Sequence, residues 1–239
     1  MSSKHAWKVD LIPWDHRSTE QIARLYEQRV ACGWMAEEIP SFVKLANKGG
    51  KVFYWVVLAD EVPEQEILLK RHFVKYPKEA SPLTDTAGQV RLVSRVPSEQ
   101  QFVPIGHIAL DIHAPEEDEK LGLPRSGVVW VHQLYISYAL QSEGFGVAAM
   151  SKAEQLATSE PLNASIMAVD TMVKEMHMDA AIQKISYDDR GLPRPTKSNE
   201  EWYMRLGYQI FARTKEGYKK RHSSGTIALE IAFLKKSLH

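Results

Sequence analysis

The stretch Leu134-Tyr135-Ile136-Ser137-Tyr138-Ala139-Leu140-Gln141-Ser142-Glu143-Gly144-Phe145-Gly146-Val147-Ala148-Ala149 decides how the chain around it reads. It leaves the apolar run VVWVHQLYI (Val128 to Ile136), which predicts a strand, and enters a segment from about Val147 to Thr158. There Ala149, Met150, Ala153, Leu156 and Ala157 share one helical face until Pro161 closes it. Glycines between a strand and a helix let backbone N–H groups converge on an anion at the helix N-terminus. Gln141 to Gly146 is therefore the first place to look for chemistry.

Working outward, Pro104 to His113 reads as a second strand, forming an antiparallel hairpin with 128–136 around the acidic loop Glu116 to Glu119. Downstream, Ala164 to Asp170 is strand-like and Met172 to Ile185 helical. Tyr187 to Ser198, with Gly191, Pro193 and Pro195, is an exposed loop. Asn199 to Leu206 predicts a short helix stopped by Gly207, before strands at Tyr208–Thr214 and Thr226–Leu234 around a basic turn. Upstream, an alternating piece from Trp7 to Pro13 precedes a helix over Ser18 to Ala31. Its N-cap is Ser18, and Ile22, Leu25, Tyr26 and Val30 are expected on its buried face. A short helix follows around Pro40 to Asn47, then a buried strand from Lys51 to Asp60. From Glu61 to Val103, four prolines interrupt the pattern, and the region reads as an insertion. The expectation is one α/β (α+β) domain over 1–239 with a mixed, mostly antiparallel sheet flanked by helices and insertions at about 61–103 and 172–198.

The 239 residues include 30 Lys plus Arg and 30 Asp plus Glu, a net charge of zero. That balance argues against nucleic acid as the main partner, and a small or uncharged-surface substrate fits better. With Cys32 as the single cysteine, no intrachain disulfide or cysteine-cluster zinc site can form, so a cytoplasmic setting is expected. The longest apolar run, Val52 to Ala59, is far below the ~20 residues that span a bilayer, so no membrane partner is expected.

Three ligand classes use a glycine loop of this kind. Gly144-x-Gly146-x-x-Ala149 satisfies a dinucleotide fingerprint with Asp170 as a ribose-binding acid, but Tyr138 to Glu143 separate strand from glycine and the strand-helix alternation is missing. A P-loop needs Gly-Lys-Ser/Thr, and Gly146 is followed by Val147. The third reading matches two segments. The stretch quoted first resembles the central motif of the GNAT N-acetyltransferases, Q/R-x-x-G-x-G/A between a strand and a helix. Trp202-Tyr203-Met204-Arg205-Leu206-Gly207-Tyr208 is similar to that family's aromatic-Tyr-x-x-x-Gly-aromatic helix end.

The resemblance implies acetyl-CoA as co-substrate, no metal, and a small-molecule or peptide amine as acceptor. Carried over residue by residue, Gln141, Ser142, Glu143, Gly144, Phe145, Gly146 and Val147 hold the pyrophosphate. Leu134, Tyr135 and Ile136 offer backbone partners to pantetheine and the thioester. Tyr203 falls on the family's general-acid tyrosine. His132 lies near the position of the family's strand carboxylate and is the candidate base, with His107 and Asp111 as alternatives. Lys215 to His222 is a basic run that either meets phosphate or is solvated. His107, His113 and His177 show no ligand spacing, and Cys32 reads as a packing residue. A non-catalytic acetyl-CoA-binding module and an NAD(P)-dependent oxidoreductase are the alternatives. Acceptor choice is expected to lie with the insertions.

Overall fold

A computed structural model describes residues 8–215, 217–222 and 225–238. The predicted piece at Trp7 thus begins outside the described residues, and the side chains of 219–222 in the basic run also lie outside them. The chain groups into two compact units, one running to Ala114 together with Val129–Ala164, the other comprising Pro115–Val128 and everything from Ser165 on.

The first unit is built on four antiparallel strands in the order β1 (Val9–Pro13), β2 (Lys51–Leu58), β3 (Pro104–Asp111), β4 (Val128–Ile136). Every residue of β2 and β3 is buried, so both sheet faces are covered and the strands are predominantly apolar, with Lys51, His107 and Asp111 as buried exceptions. Alternation along β2 turns Lys51, Phe53 and Trp55 to one face, opposite Asp111, Ala109 and His107 of β3. Against that face lies a core of Trp14, Leu25, Phe42, Phe53, Trp55 and Leu83.

Helix α1 (Thr19–Cys32) begins at Ser18, whose hydroxyl accepts from the Gln21 N–H, and ends at Gly33 in the left-handed region at φ 84°. Its buried face differs from the expected one. Tyr26 and Val30 are 52% and 51% exposed, whereas Gln21, Arg24, Gln28 and Arg29 are buried with Leu25. The reason is hydrogen bonding: Gln21 Oε1 accepts from Trp55 Nε1 at 2.8 Å, and Arg24 donates to the Ser81 carbonyl at 2.8 Å. Buried polar groups that are so paired can displace apolar ones from a core face. Helix α2 (Ile39–Asn47) takes Pro40 in its first turn and buries Ile39, Phe42 and Ala46.

The 61–103 region contains a real element, α3 (Gln65–Lys75), whose one buried side chain, His72, touches Ser137 Oγ at 2.8 Å. With so little apolar surface turned inward, α3 left no helical periodicity to read. Helix α4 (Phe145–Ala157) follows the glycine loop.

In the second unit, β5 (Ile166–Met172), β7 (Ile231–Ser237) and β6 (Gln209–Thr214) pair antiparallel in that order. The acidic segment expected as a loop holds a short helix, Pro115–Lys120. The segment expected as one helix over 172–185 is instead the end of β5 and two short helices, Lys174–His177 and Ala180–Ser186. Helix α5 (Asn199–Arg205) starts with a capping box between Ser198 and Glu201. The class is α/β with mostly antiparallel strands flanked by helices, as the patterning predicts. No described helix is long and apolar enough to cross a membrane.

Candidate functional site

Strand β4 is buried along Val128–Val131 and again at Tyr135–Ile136, but only half-buried at His132, Gln133 and Leu134. A β-bulge produces this opening. His107 faces Tyr135 and Ala109 faces His132, so Gln133 and Leu134 together oppose Ile108, and Gln133 sits at φ 47°. Just beyond, Gly106 stands where a Cβ would meet the Tyr135 carbonyl oxygen at 2.0 Å, so only glycine lets β3 lie this close to β4.

After Ser137 the chain turns through Ser142 (φ 70°) and Gly144 (φ 84°) into α4. Gly144 is its N-cap and carries no side chain to cap it. Among the described residues, no hydrogen bond joins the backbone amides of Gln141 to Val147 to a protein acceptor, while Ala148 N–H already bonds the Gly144 carbonyl. The loop therefore leaves several backbone donors without protein acceptors at the positive end of a helix dipole. Two cations brace it: Lys8 Nζ donates to the Glu143 carbonyl at 2.9 Å, and Arg71 of α3 donates to Glu143 Oε1 at 2.9 Å and to the Ala139 carbonyl at 2.8 Å. Gln141 to Gly144 and Val147 are exposed and Phe145 is buried. The Gln141 amide folds back onto the Ile136 carbonyl at 3.2 Å.

Upstream of the bulge, four polar side chains meet. His132 Nδ1 lies 2.7 Å from Asp111 Oδ2, and Lys51 Nζ donates to both Asp111 oxygens at 2.7 and 2.5 Å and to Gln133 Oε1 at 2.8 Å. Because the carboxylate only accepts, Nδ1 carries the proton and Nε2 is the basic nitrogen of the neutral ring. Burial pushes the Asp111 carboxyl up, but the Lys51 charge and the His132 bond outweigh it, so Asp111 stays ionised. His113, Trp130 and His132 form a triangle of near-parallel rings, with centroids 4.8 Å (His113–Trp130), 5.6 Å (His113–His132) and 6.1 Å (Trp130–His132) apart. One atom each from Asp111, His113 and His132 falls within 4.8 Å of the others, but the Lys51 ammonium already sits on both carboxylate oxygens. A divalent ion there would compete with that cation for the carboxylate.

The antiparallel hairpin β3–β4 and the two glycines after it, inside an α/β fold, invite comparison with solved structures. Arabidopsis thaliana NAA60 in complex with acetyl-CoA superposes with a TM-score of 0.53 over 96% of this chain and 98% of that one, at 11% identity. The chain shares the fold of a GNAT-family acetyltransferase from Desulfovibrio desulfuricans, with a TM-score of 0.53 over 97% of this chain and 99% of that one, at 9% identity. The ribosomal L7/L12 α-N-protein acetyltransferase RimL matches with a TM-score of 0.52 over 98% of this chain and 95% of that one, at 6% identity. The Salmonella typhimurium acetyl transferase that modifies the N-terminal serine of 50S subunit protein L7/L12 gives 0.50 over 97% and 96%, also at 6%. No protein-family model and no curated protein sequence matches the chain.

Within this GNAT fold, the strand and loop residues singled out from sequence, Leu134 to Ile136 and Gln141 to Val147, follow one another at the bulged end of β4 and the start of α4. His132 lies two residues before Leu134, on Asp111. His107 is fully buried between Gln28 Oε1 (2.8 Å) and Arg29 Nη1 (3.4 Å), and burial, reinforced by the Arg29 charge, holds its imidazole well below the ordinary value. It is thus a neutral structural group. Tyr203, on α5 in the second unit, is buried with its ring edge-on to Trp202 and Tyr208. Burial, with the nearby Asp170 charge, raises its phenol, which stays protonated at neutral pH. Sequence reading missed Lys51, Arg71 and Gly106. A lysine opening an apolar strand (Lys51-Val52-Phe53) was the one available sign, since a buried cation demands an acid.

Proposed function

We propose that the chain is an acetyl-CoA-dependent N-acetyltransferase in which a primary amine attacks the thioester directly. The observation that carries this reading is the run of unpaired amides from Gln141 to Val147 set directly after the bulged strand, within the GNAT fold. Those amides and Arg71 would hold a pyrophosphate, and Leu134, Tyr135 and Ile136 at the bulged end of β4 would offer backbone partners to the pantetheine arm and the thioester. Bound acetyl-CoA supplies the activated acetyl group.

The chain's own work is positioning and proton transfer. His132 takes the proton from the incoming ammonium at Nε2, while Asp111 holds the ring through Nδ1 and stabilises the imidazolium. Lys51 keeps Asp111 charged and fixed. Tyr203 is the proposed donor to the departing thiolate, a role a protonated phenol can fill. The two units are read as one domain, because the chain passes between them three times. A non-catalytic acetyl-CoA-binding module of the same fold is the second reading, and the Asp111–His132 pair beside the bulge is what favours an enzyme over it. The doubly wound parallel sheet that an NAD(P)-dependent oxidoreductase would need has no counterpart in the antiparallel pairs β1–β2, β2–β3 and β3–β4. The test is free thiol released from acetyl-CoA across a panel of amines, beside thermal shifts with acetyl-CoA, CoA and NAD. Stabilisation by CoA without thiol release from any amine would leave the binding module.

A further inference from the structure

Helix α1 carries a charge that the reaction outlined above does not use. Arg29 is only 2% exposed, yet no carboxylate lies within ion-pairing distance of it among the described residues. Its Nη1 reaches Cys32 Sγ at 3.7 Å and His107 Nε2 at 3.4 Å. Its Nε is buried without a partner, and no protein acceptor is recorded for Nη2. The remaining bonds run away from the guanidinium: with His107 neutral and protonated at Nδ1, that nitrogen donates to Gln28 Oε1, and Gln28 Nε2 donates to Glu79 Oε2 at 2.7 Å. Glu79 therefore stands three hydrogen bonds away. A guanidinium left buried without an adjacent anion is strongly destabilising.

The position of this charge matters. His107, which Arg29 touches, faces Tyr135 across β3 and β4, so Arg29 lies beneath the Leu134–Ile136 stretch. Half-buried Cys32 and Tyr138, buried Tyr135 and exposed Glu37 lie near it. The edge formed by Nε and Nη2 is the one not engaged by the protein, and two parallel N–H donors on a planar fork match the two oxygens of a carboxylate.

We propose that Arg29 anchors a carboxylate on the acyl acceptor, so that the substrate class is an amine that also bears a carboxylate. This rests on the acetyl-transfer reading above. Ala109, opposite His132, lies two residues from His107 along β3, a step of ~7 Å, so amine and carboxylate are separated by a spacer of several methylenes. A suitable pair of probes is 6-aminohexanoate and hexylamine.

Both are titrated calorimetrically into CoA-saturated protein. The wild type is expected to bind the carboxylate-bearing amine about tenfold or more tightly than hexylamine. Arg29→Met should collapse that ratio to near one, and Arg29→Lys, which keeps the charge and loses the fork, should reduce it. Tyr26→Ala, on the exposed side of the same helix, should retain it. If Arg29→Met does not fold, Arg29→Lys decides. A wild-type ratio near one, or a ratio that survives in Arg29→Lys, overturns the proposal. Thiol release is measured separately. Preferential binding without release from either amine counts against acetyl transfer and supports the anchor, whereas equal release from both amines overturns the anchor.

Discussion

Replacing Gly106 by alanine should damage the protein at the place where the acyl group is expected. The added Cβ would lie 2.0 Å from the Tyr135 carbonyl oxygen, 3.0 Å from its carbon and 3.1 Å from the Ile136 Cα. All three are backbone atoms and cannot rotate aside, so the strands must part by roughly 1.5 Å to reach ordinary contact. Overpacking of this kind costs about 1–3 kcal/mol, and weakening the flanking ladder bonds adds about 1 kcal/mol each, for a total of about 3–5 kcal/mol. Against a whole-domain stability of roughly 5–15 kcal/mol that is a large fraction. With a urea slope of about 2 kcal/mol/M, the midpoint should fall by about 1.5–2.5 M. Gly88→Ala is the control, since nothing lies within 4 Å of its added methyl and its φ is unexceptional. The Tyr135 carbonyl is also one of the groups proposed to receive pantetheine, so the stabilisation conferred by acetyl-CoA should shrink in the same variant. A midpoint drop matching the Gly88 control, with full acetyl-CoA stabilisation, would refute the reasoning.

Asp111→Asn should lower kcat by about 10²-fold and move the acidic limb of the pH–rate profile to lower pH, because the imidazolium of His132 loses its carboxylate. It should also destabilise the fold, as the buried Lys51 loses its carboxylate partner; an unmoved limb removes His132 from the base role. Tyr203→Phe should keep acetyl-CoA binding while reducing kcat severalfold, and an unchanged kcat ends its assignment as the acid. Glu201, held by the Lys174 ammonium and by Ser198, has its carboxyl pushed down to about 2. A depressed carboxyl stabilises above its unfolded value near ~4.3 and loses that contribution as pH falls toward the folded value. Urea midpoints measured from pH 5 down to pH 2 should therefore decline less steeply for Glu201→Gln than for the wild type, and parallel curves would exclude the effect.

Where local chemistry dominates, the residues announced their structure. Ser18 caps α1 through Gln21, Gly33 and Gly207 take positive φ after their helices, and the predominantly apolar β2 and β3 lie buried along their whole length. The glycine loop was legible for the same reason, since Gly144 needs φ 84° whatever surrounds it. Helix α1 shows where this reading stopped. Its spacing favoured Tyr26 and Val30 as buried, but the tertiary partners of Gln21, Arg24 and Gln28 sit 34 to 76 residues away, beyond the reach of a helical window. The candidate site divides along the same line. His132 and the loop came from a contiguous motif, whereas Lys51 meets Asp111 across 60 residues and Arg71 meets Glu143 across 72.

By itself, then, the sequence determined the strand, glycine loop and helix on which the proposed activity depends, because φ preferences, caps and apolar periodicity act over a few residues. Tertiary structure alone decided which charges are paired. Strand register set Lys51 on Asp111 and Asp111 on His132, and the packing of α1 left Arg29 buried without an ion pair among the described residues. Electrostatic pairing depends on distance in space, and only the folded chain fixes it.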